Sequence, residues 1–499
     1  MSSEGKADRG GAMAGGACMK ARPETIAAPV VRNTGIVLGV GVASKLVGAL
    51  FVLWLARYLG DAGFGTYSFA LSFASLFAIF SDFGLDALAI REVARARPAH
   101  PFQAIMKLRA VLTAAVALAL IAAALVLPVD RTTMLVVLFA GFIALVDTLG
   151  GTYFALFRGH ERMELEGISQ LAWRGAQVAL GASVILLDLG LLWMMATLFA
   201  ASVVRLALSA AFSTRLPKAQ PSEAGVGHWF RSALPFAAYE IALDAYTGLI
   251  PLALFWFATT SEVGSFSAAQ RAIGFIVLIP LALEAAIYPV LSRLYRNSRA
   301  VMRKGALAGM RFALLFAVPI AFIVPAFSTQ LTGLLFGGTY DPMPLAILAA
   351  VFPMTAANAI VRGVLWSADR QRAVAINIAV STAVLAAAAL YLIPLRGAVG
   401  GATALGIAET MLLALGLWEM SRALPGLGKR LWQHAAGACA AVSILFVMHI
   451  FSNGQVPFWA LGACGAAIYL SFIAATGGIG RKEMAMVSTG IRAALGMSR

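Results

Sequence analysis

The chain of 499 residues is 61% hydrophobic and only 12% charged, with a formal net charge of +15. A soluble protein carries about 25% charged residues, so this composition excludes an ordinary soluble domain, and the mean hydropathy of +0.85 indicates a membrane protein. Three cysteines, Cys18, Cys439 and Cys464, are too few and too scattered for a disulfide framework or a cysteine metal site.

The chain begins with 32 polar, Gly-rich and basic residues that lack the apolar core and cleavage site of a signal peptide. Apolar runs of about 20 residues follow, each long enough to cross a hydrocarbon core of about 30 Å. They fall at 33–56, 66–90, 108–127, 134–157, 167–187, 190–212, 233–257, 265–291, 308–327, 343–366, 373–393, 398–420, 433–451 and 457–476. The pattern predicts an all-α polytopic membrane protein with about 14 transmembrane helices, because runs this long lack the alternation of a barrel strand.

The connections between these runs predict the orientation of the chain. Most of the 38 Lys and Arg residues lie at the termini and in the even-numbered connections, whereas the odd-numbered connections hold Arg57, Arg131 and Arg396. Positive residues favour the cytoplasmic side, so we expect both termini in the cytoplasm. Cations beside anionic headgroups explain the basic charge without a nucleic-acid partner.

Two pairs of short strings suggest an internal repeat. Phe64–Ala70 (FGTYSFA) resembles Val263–Ala269 (VGSFSAA), and Phe157–Arg162 (FRGHER) resembles Trp366–Gln371 (WSADRQ). Each pair keeps its place in a six-helix period, although short strings of this kind also arise by chance. Repeated halves around a central site are common in transporters.

The repeat divides the chain into predicted domains. They are a polar cytoplasmic N-terminus (1–32), an N-lobe of helices 1–6 (33–212), a cytoplasmic linker (213–232), a C-lobe of helices 7–12 (233–420), helices 13–14 (433–476) and a cytoplasmic amphipathic tail (477–499).

Ten charged residues remain at membrane depth. Each costs about 2.5–3.5 kcal/mol at a helix centre, so we expect them to face a hydrated interior or to pair. The cations, which suit a phosphate-bearing anionic cargo, are Lys45, Arg174, Arg205, Arg271 and Arg362. The acids are Asp147, Glu240, Asp244, Glu284 and Glu409, and the first four are candidates for ion coupling or gating. The alternative is a set of interhelical ion pairs that only fix packing.

The connections on the outer side are short and offer few acids or histidines, which disfavours catalysis. A G-x-x-x-x-G-K-[ST] nucleotide-binding element is absent from the sequence. We therefore expect no enzyme activity, cofactor or metal. A membrane glycosyltransferase or polymerase, and a non-transporting scaffold, are the alternatives from other classes.

The N-terminal part resembles a known family. Arg57–Ala70 (RYLGDAGFGTYSFA) and Asp82–Arg95 (DFGLDALAIREVAR) are similar to the signature of bacterial polysaccharide-biosynthesis flippases, in the multidrug/oligosaccharidyl-lipid/polysaccharide exporter superfamily. The helix order extends the resemblance over residues 33–476. The matching residues are Arg57, Leu59, Gly60, Phe64, Gly65, Tyr67, Asp82, Phe83, Gly84, Leu85, Arg91 and Glu92.

The resemblance implies two six-helix lobes around a central cavity in the bacterial cytoplasmic (inner) membrane. It implies ion-gradient-driven translocation of an undecaprenyl-diphosphate-linked oligosaccharide for exopolysaccharide, capsule or O-antigen. The implied partners are this lipid-linked oligosaccharide, membrane lipids, and a polysaccharide polymerase and export proteins. A drug/cation exporter and a peptidoglycan-precursor flippase of the same superfamily are alternatives; Lys45 and the lack of an acid on helix one disfavour cation export.

Overall fold

A computed structural model describes residues 23–95, 102–216 and 226–424, and within these residues the chain is helical without a strand. The helices are α1 (Pro23–Asp82), α2 (Leu85–Arg95), α3 (Phe102–Val126), α4 (Arg131–Gly159), α5 (Met163–Leu186), α6 (Leu191–Ser213), α7 (Val226–Phe257), α8 (Thr260–Asn297), α9 (Arg299–Ala326), α10 (Ser328–Phe336), α11 (Met343–Ser367) and α12 (Gln371–Ala423).

The all-α membrane fold is confirmed. The predicted runs up to residue 420 each lie in one helix to within one residue, except the run at 66–90, which the Phe83–Gly84 turn divides between α1 and α2. Eight helical stretches of the described residues are long and apolar enough to cross a membrane. The structure adds a short helix, α10, in the connection that follows α9, and it begins α7 at Val226, before the predicted residue 233. Predicted helices 13 and 14, the amphipathic tail and residues 1–22 lie outside the described residues.

Glycines with positive φ change the direction of the chain at three places in the described residues where one helix follows another almost directly. Gly60 (φ 67°) breaks α1 and Gly397 (φ 51°) breaks α12, so each of these helices contains two predicted runs. Gly84 (φ 72°) follows Phe83 (φ 46°) between α1 and α2. Positive φ costs glycine little, which explains the glycines of the RYLG and DFGL strings.

The helices form two groups, which we name the N-half (α1–α6) and the C-half (α7–α12). In the N-half, α4 packs against α1, α2, α3 and α6; in the C-half, α11 packs against α8, α9 and α12. The two halves meet mainly where α1 packs against α8 and α7.

One turn occurs in both halves with the same conformation. In Phe157–Arg162 and in Leu365–Arg370, the N–H of the last residue donates to the carbonyl oxygen of the first at 2.9 Å. Glu161 (φ 59°) and Asp369 (φ 56°) hold the same place in the two turns. The FRGHER and WSADRQ strings therefore end equivalent helices, with a register one residue different from the one that the letters suggest.

Candidate functional site

The FGTYSFA and VGSFSAA strings meet in space. A Cβ atom added at Gly65 would lie 1.8 Å from the carbonyl oxygen of Thr260, and one added at Gly264 would lie 1.9 Å from the carbonyl oxygen of Asp61. We name this reciprocal contact between α1 and α8 the glycine crossing. Only glycine permits two helix backbones to come this close.

Polar contacts surround the glycine crossing. The Asp61 carboxylate accepts a hydrogen bond from the Ser261 hydroxyl. The Tyr340 hydroxyl lies 2.5 Å from the carbonyl oxygen of Ala56 and 2.8 Å from that of Gly60. Burial raises the pKa of Tyr340, so its hydroxyl stays protonated and donates. The two halves are thus closed at this end.

The opposite end has its own contact between the halves. The rings of Phe83 and Phe230 stack with centroids 4.8 Å apart. Trp229 is buried in a cluster with Leu85 and Leu88. The DFGL turn of the N-half is therefore the surface against which the first turns of α7 pack.

Between these ends, a C-half arginine lies on N-half aromatic rings. The Arg271 guanidinium is 5.6 Å from the ring centroids of both Phe64 and Tyr67. Such a contact contributes about 0.5–2 kcal/mol, most when it is desolvated. The positive charge of Arg271, a residue of α8, therefore lies against the N-half, beside the glycine crossing.

A second arginine approaches from the N-half. Arg174 of α5 lies 4.4 Å above the Trp173 ring, donates to Gln177, and fills the space beside Gly48, where a Cβ would lie 2.6 Å from its Cζ atom. Tyr67 is within the electrostatic influence of both Arg174 and Arg271. Tyr67 therefore has a cation from each half near its ring.

Lys45 lies one turn before Gly48, on the same face of α1, and its side chain is exposed. We give the name cation cluster to these three predicted cations, Lys45, Arg174 and Arg271. Within the described residues, none of the three makes an ion pair with a carboxylate. Cations without an ion-pair partner favour an anion beside them.

The other two sequence-predicted cations pair with sequence-predicted acids. Arg205 lies 2.8 Å from the Asp147 carboxylate and donates to its carbonyl oxygen at 2.7 Å. Arg362 binds Glu284 bidentately at 2.9 and 2.5 Å, and Glu284 is buried. These pairs join α6 to α4 and α11 to α8, an arrangement that stabilises interhelical packing.

The remaining two acids of the predicted coupling set lie on α7. Asp244 is partly buried, within the electrostatic influence of Asp82. Glu240 lies in the same helix, but its side chain is outside the described part of the structure.

Glu409 is an acid at depth to which the sequence assigned no role. It is buried on α12 and accepts hydrogen bonds from the Tyr246 hydroxyl at 2.9 Å and the Asn358 amide at 2.8 Å. Among the described residues no cation forms an ion pair with it. Its depth was visible in the sequence, whereas its neutral donors come from α7 and α11 and had no sequence signal.

The acids of the DFGLD string have a structural partner that the sequence analysis placed elsewhere. Arg109 is one of the cations of the even-numbered connections from which the cytoplasmic side is predicted, yet its side chain is fully buried. It forms an ion pair with Asp82 and another with Asp86 at 3.1 Å, and it donates to the Thr148 carbonyl oxygen. This cluster ties α1, α2, α3 and α4 together.

Comparisons with known proteins agree with this architecture. An inward closed structure of the lipid II flippase MurJ aligns with a TM-score of 0.66 at 11% identity, over 88% of this chain and 97% of that one. An inward-facing multidrug resistance MATE family transporter of the MOP superfamily aligns at 0.61 and 14% identity, over 76% and 94%. A MATE transporter from Vibrio cholerae aligns at 0.52 and 15% identity, over 79% and 98%. At these identities the likeness shows the fold.

No curated protein matches the chain in sequence. A family model described as polysaccharide biosynthesis protein matches residues 30–295, which is more than half of the chain. This match includes the DFGL turn, the N-half from residue 30 onward, the glycine crossing and all three residues of the cation cluster. The chain therefore belongs to the polysaccharide biosynthesis protein family.

Proposed function

We propose that this protein translocates an undecaprenyl-diphosphate-linked oligosaccharide across the bacterial cytoplasmic membrane for cell-surface polysaccharide synthesis, without catalysing a covalent step. The observation that carries the proposal is the cation cluster. Lys45 and Arg174 come from the N-half and Arg271 from the C-half, and none has a carboxylate partner among the described residues. A diphosphate headgroup supplies the missing negative charge.

The chemistry of the cluster favours a phosphate over an organic cation. Arginine presents planar donors that match phosphate oxygens, and lysine adds a point charge. A cationic drug would instead require uncompensated carboxylates in this space, and the nearby Asp147 is held by Arg205 at 2.8 Å. This distinction supports the lipid-linked glycan over drug export.

The glycine crossing supports alternating access. Because its contacts close one end of the space between the halves, cargo release at that end requires α1 and α8 to separate. Arg271 spans the same junction through Phe64 and Tyr67. A phosphate that attracts Arg271 would compete with these ring contacts and so favour separation.

Binding tests the headgroup assignment. We expect Arg174→Gln and Arg271→Gln each to weaken binding of undecaprenyl diphosphate about 10- to 100-fold, because a hydrogen bond to a charged group contributes about 1.5–3 kcal/mol. Fluorescence quenching of the purified protein would measure the affinity. Arg396→Gln, at an exposed arginine of α12, is the matched control and should stay within about twofold.

The substrate class is decided by comparing cargoes in liposomes. Fluorescent lipid-linked oligosaccharide should be translocated faster than lipid II, and undecaprenol without phosphate should not compete. Equal binding of undecaprenol and undecaprenyl diphosphate would contradict a role for the cations in binding the headgroup. Faster translocation of lipid II than of the lipid-linked oligosaccharide would identify lipid II as the cargo instead.

We assign ion coupling to Glu409 together with Asp244 rather than to the paired acids Asp147 and Glu284. Among the described residues neither carboxyl forms an ion pair, so each can change its charge or bind a cation without breaking one, and the donors to Glu409 are neutral. We expect Glu409→Gln to reduce gradient-stimulated transport to the level measured without a gradient, while undecaprenyl diphosphate affinity changes less than about twofold. Transport with and without an imposed proton or sodium gradient, in the same vesicles, checks this; unchanged stimulation would contradict it.

A further inference from the structure

An apolar groove lies on the flank of the N-half, on helices other than those that carry the cation cluster. Helices α3 and α6 both pack on α4, and a cavity of about 350 Å³ remains over α4. Its floor is formed by α4 and its walls by α3 and α6, through Leu149, Tyr153, Met106, Val203, Ala207 and Ala210. Because Ala207 and Ala210 have small side chains, the α6 wall of the groove is shallow.

The groove is open to the membrane. α3, α4 and α6 are all long and apolar enough to be membrane spans, and Val203 on the groove wall is 42% exposed. At about 30 Å³ for a water-sized group, the cavity accommodates about ten such groups, comparable to a segment of an acyl chain. The hydroxyl of Tyr153, which is half-buried, is the polar exception in this lining.

One end of the groove is basic. Phe212 packs in the same cluster as Met106 and Tyr153, and the Arg215 guanidinium lies 5.3 Å above the Phe212 ring. Lys107, next to Met106, is exposed on α3. Within the described residues neither Arg215 nor Lys107 forms an ion pair. Two uncompensated cations at the end of an apolar groove complement a phosphate at the end of an acyl chain.

We propose that the groove between α3 and α6 is a binding site for one anionic phospholipid, whose acyl chain lies over Leu149 and Tyr153 and whose phosphate is held by Arg215 and Lys107. The bound chain fills the gap between the two helices and so stabilises the N-half. The site is separate from the proposed transport path and does not depend on the cargo.

Native mass spectrometry of the full chain, in mixed phosphatidylglycerol and phosphatidylcholine, tests the site. We expect the wild type to retain one phosphatidylglycerol in preference to phosphatidylcholine. Ala207→Trp, which fills the groove, should lose the retained lipid, whereas Ala119→Trp, at an exposed alanine of α3 outside the groove, should keep it. Arg215→Gln should reduce the preference about fivefold, and the same change at exposed Arg231 should leave it unchanged.

The contradicting outcomes are distinct. Retention of phosphatidylglycerol by Ala207→Trp overturns the position of the acyl chain, and an unchanged preference in Arg215→Gln overturns the headgroup site. Displacement of the lipid by undecaprenyl phosphate would identify the groove as a polyprenyl site instead. Arg215 is exposed, so its variant is expected to fold and the test stays decidable even if Ala207→Trp does not.

Discussion

Gly65→Ala and Gly264→Ala are each expected to reduce transport at least about tenfold. A methyl group at Gly264 would lie 1.9 Å from the Asp61 carbonyl oxygen, and one at Gly65 would lie 1.8 Å from the Thr260 carbonyl oxygen. Both neighbours are backbone atoms, so a side-chain rotation cannot relieve the contact. The helices must move apart, which loosens the Ser261 and Tyr340 hydrogen bonds at the same end.

Substitution by alanine distinguishes an effect on the closure of the glycine crossing from an effect on the stability of the helix. Alanine stabilises a helix interior by up to about 1 kcal/mol relative to glycine, so a weakened helix cannot explain a loss of transport. Gly274 is the matched control on α8, because open space surrounds its Cβ position. We expect Gly274→Ala to transport like the wild type.

Two measurements verify the effect on the glycine crossing. Thiol labelling of a Ser265→Cys reporter, which is buried beside the crossing in the wild type, should accelerate in either glycine variant. The double variant should be no more than about twofold worse than the stronger single one, since one methyl group already separates the helices and coupled sites are not additive. Normal transport with slow labelling in both variants would refute closure at this position.

The glycine crossing also shows how far the sequence could predict this fold. Apolar length located the long helices of the described residues, because membrane spans follow from local composition. It did not predict the short helix α10 or the turn at Phe83 and Gly84. The similarity of FGTYSFA and VGSFSAA indicated two repeats. The structure shows that the two strings also meet, with Gly65 against Thr260 and Gly264 against Asp61. This contact depends on how the two halves pack, which neither string indicates by itself.

The candidate site was predictable to a similar degree. Burial cost identifies which charges need an explanation, and on that ground Lys45, Arg174 and Arg271 are predicted to lie at membrane depth. The structure adds that none of the three forms an ion pair among the described residues. Burial cost gave the same weight to Arg205 and Arg362, which pair with Asp147 and Glu284. Whether a charge is compensated depends on a helix distant in sequence, so it could not be read from spacing along one helix.

Arg109→Leu is expected to destabilise the N-half by about 3 kcal/mol, the lower end of the range for breaking a buried ion pair. We expect a value at the lower end of this range because the two carboxylate partners of Arg109 are partly exposed. The Arg109 side chain is fully buried, whereas those of Asp82 and Asp86 are 26% and 39% exposed. Once Arg109 is removed, water can partly solvate both carboxylates. Chemical denaturation in detergent micelles, followed by tryptophan fluorescence, would measure the change.

Removing the acids is expected to be worse than removing the arginine. Asp82→Asn with Asp86→Asn leaves a fully buried guanidinium without a carboxylate, and its charge cannot be solvated where it lies. Adding Arg109→Leu to that double variant should therefore recover stability, a coupling that a double-mutant cycle detects. Arg95→Leu, at an exposed arginine of α2, is the control and should stay within about 0.5 kcal/mol. If the triple variant is less stable than the acid double variant, Arg109 contributes through packing, and the ion pairs with the DFGLD acids are not what stabilises the junction of α1 and α2.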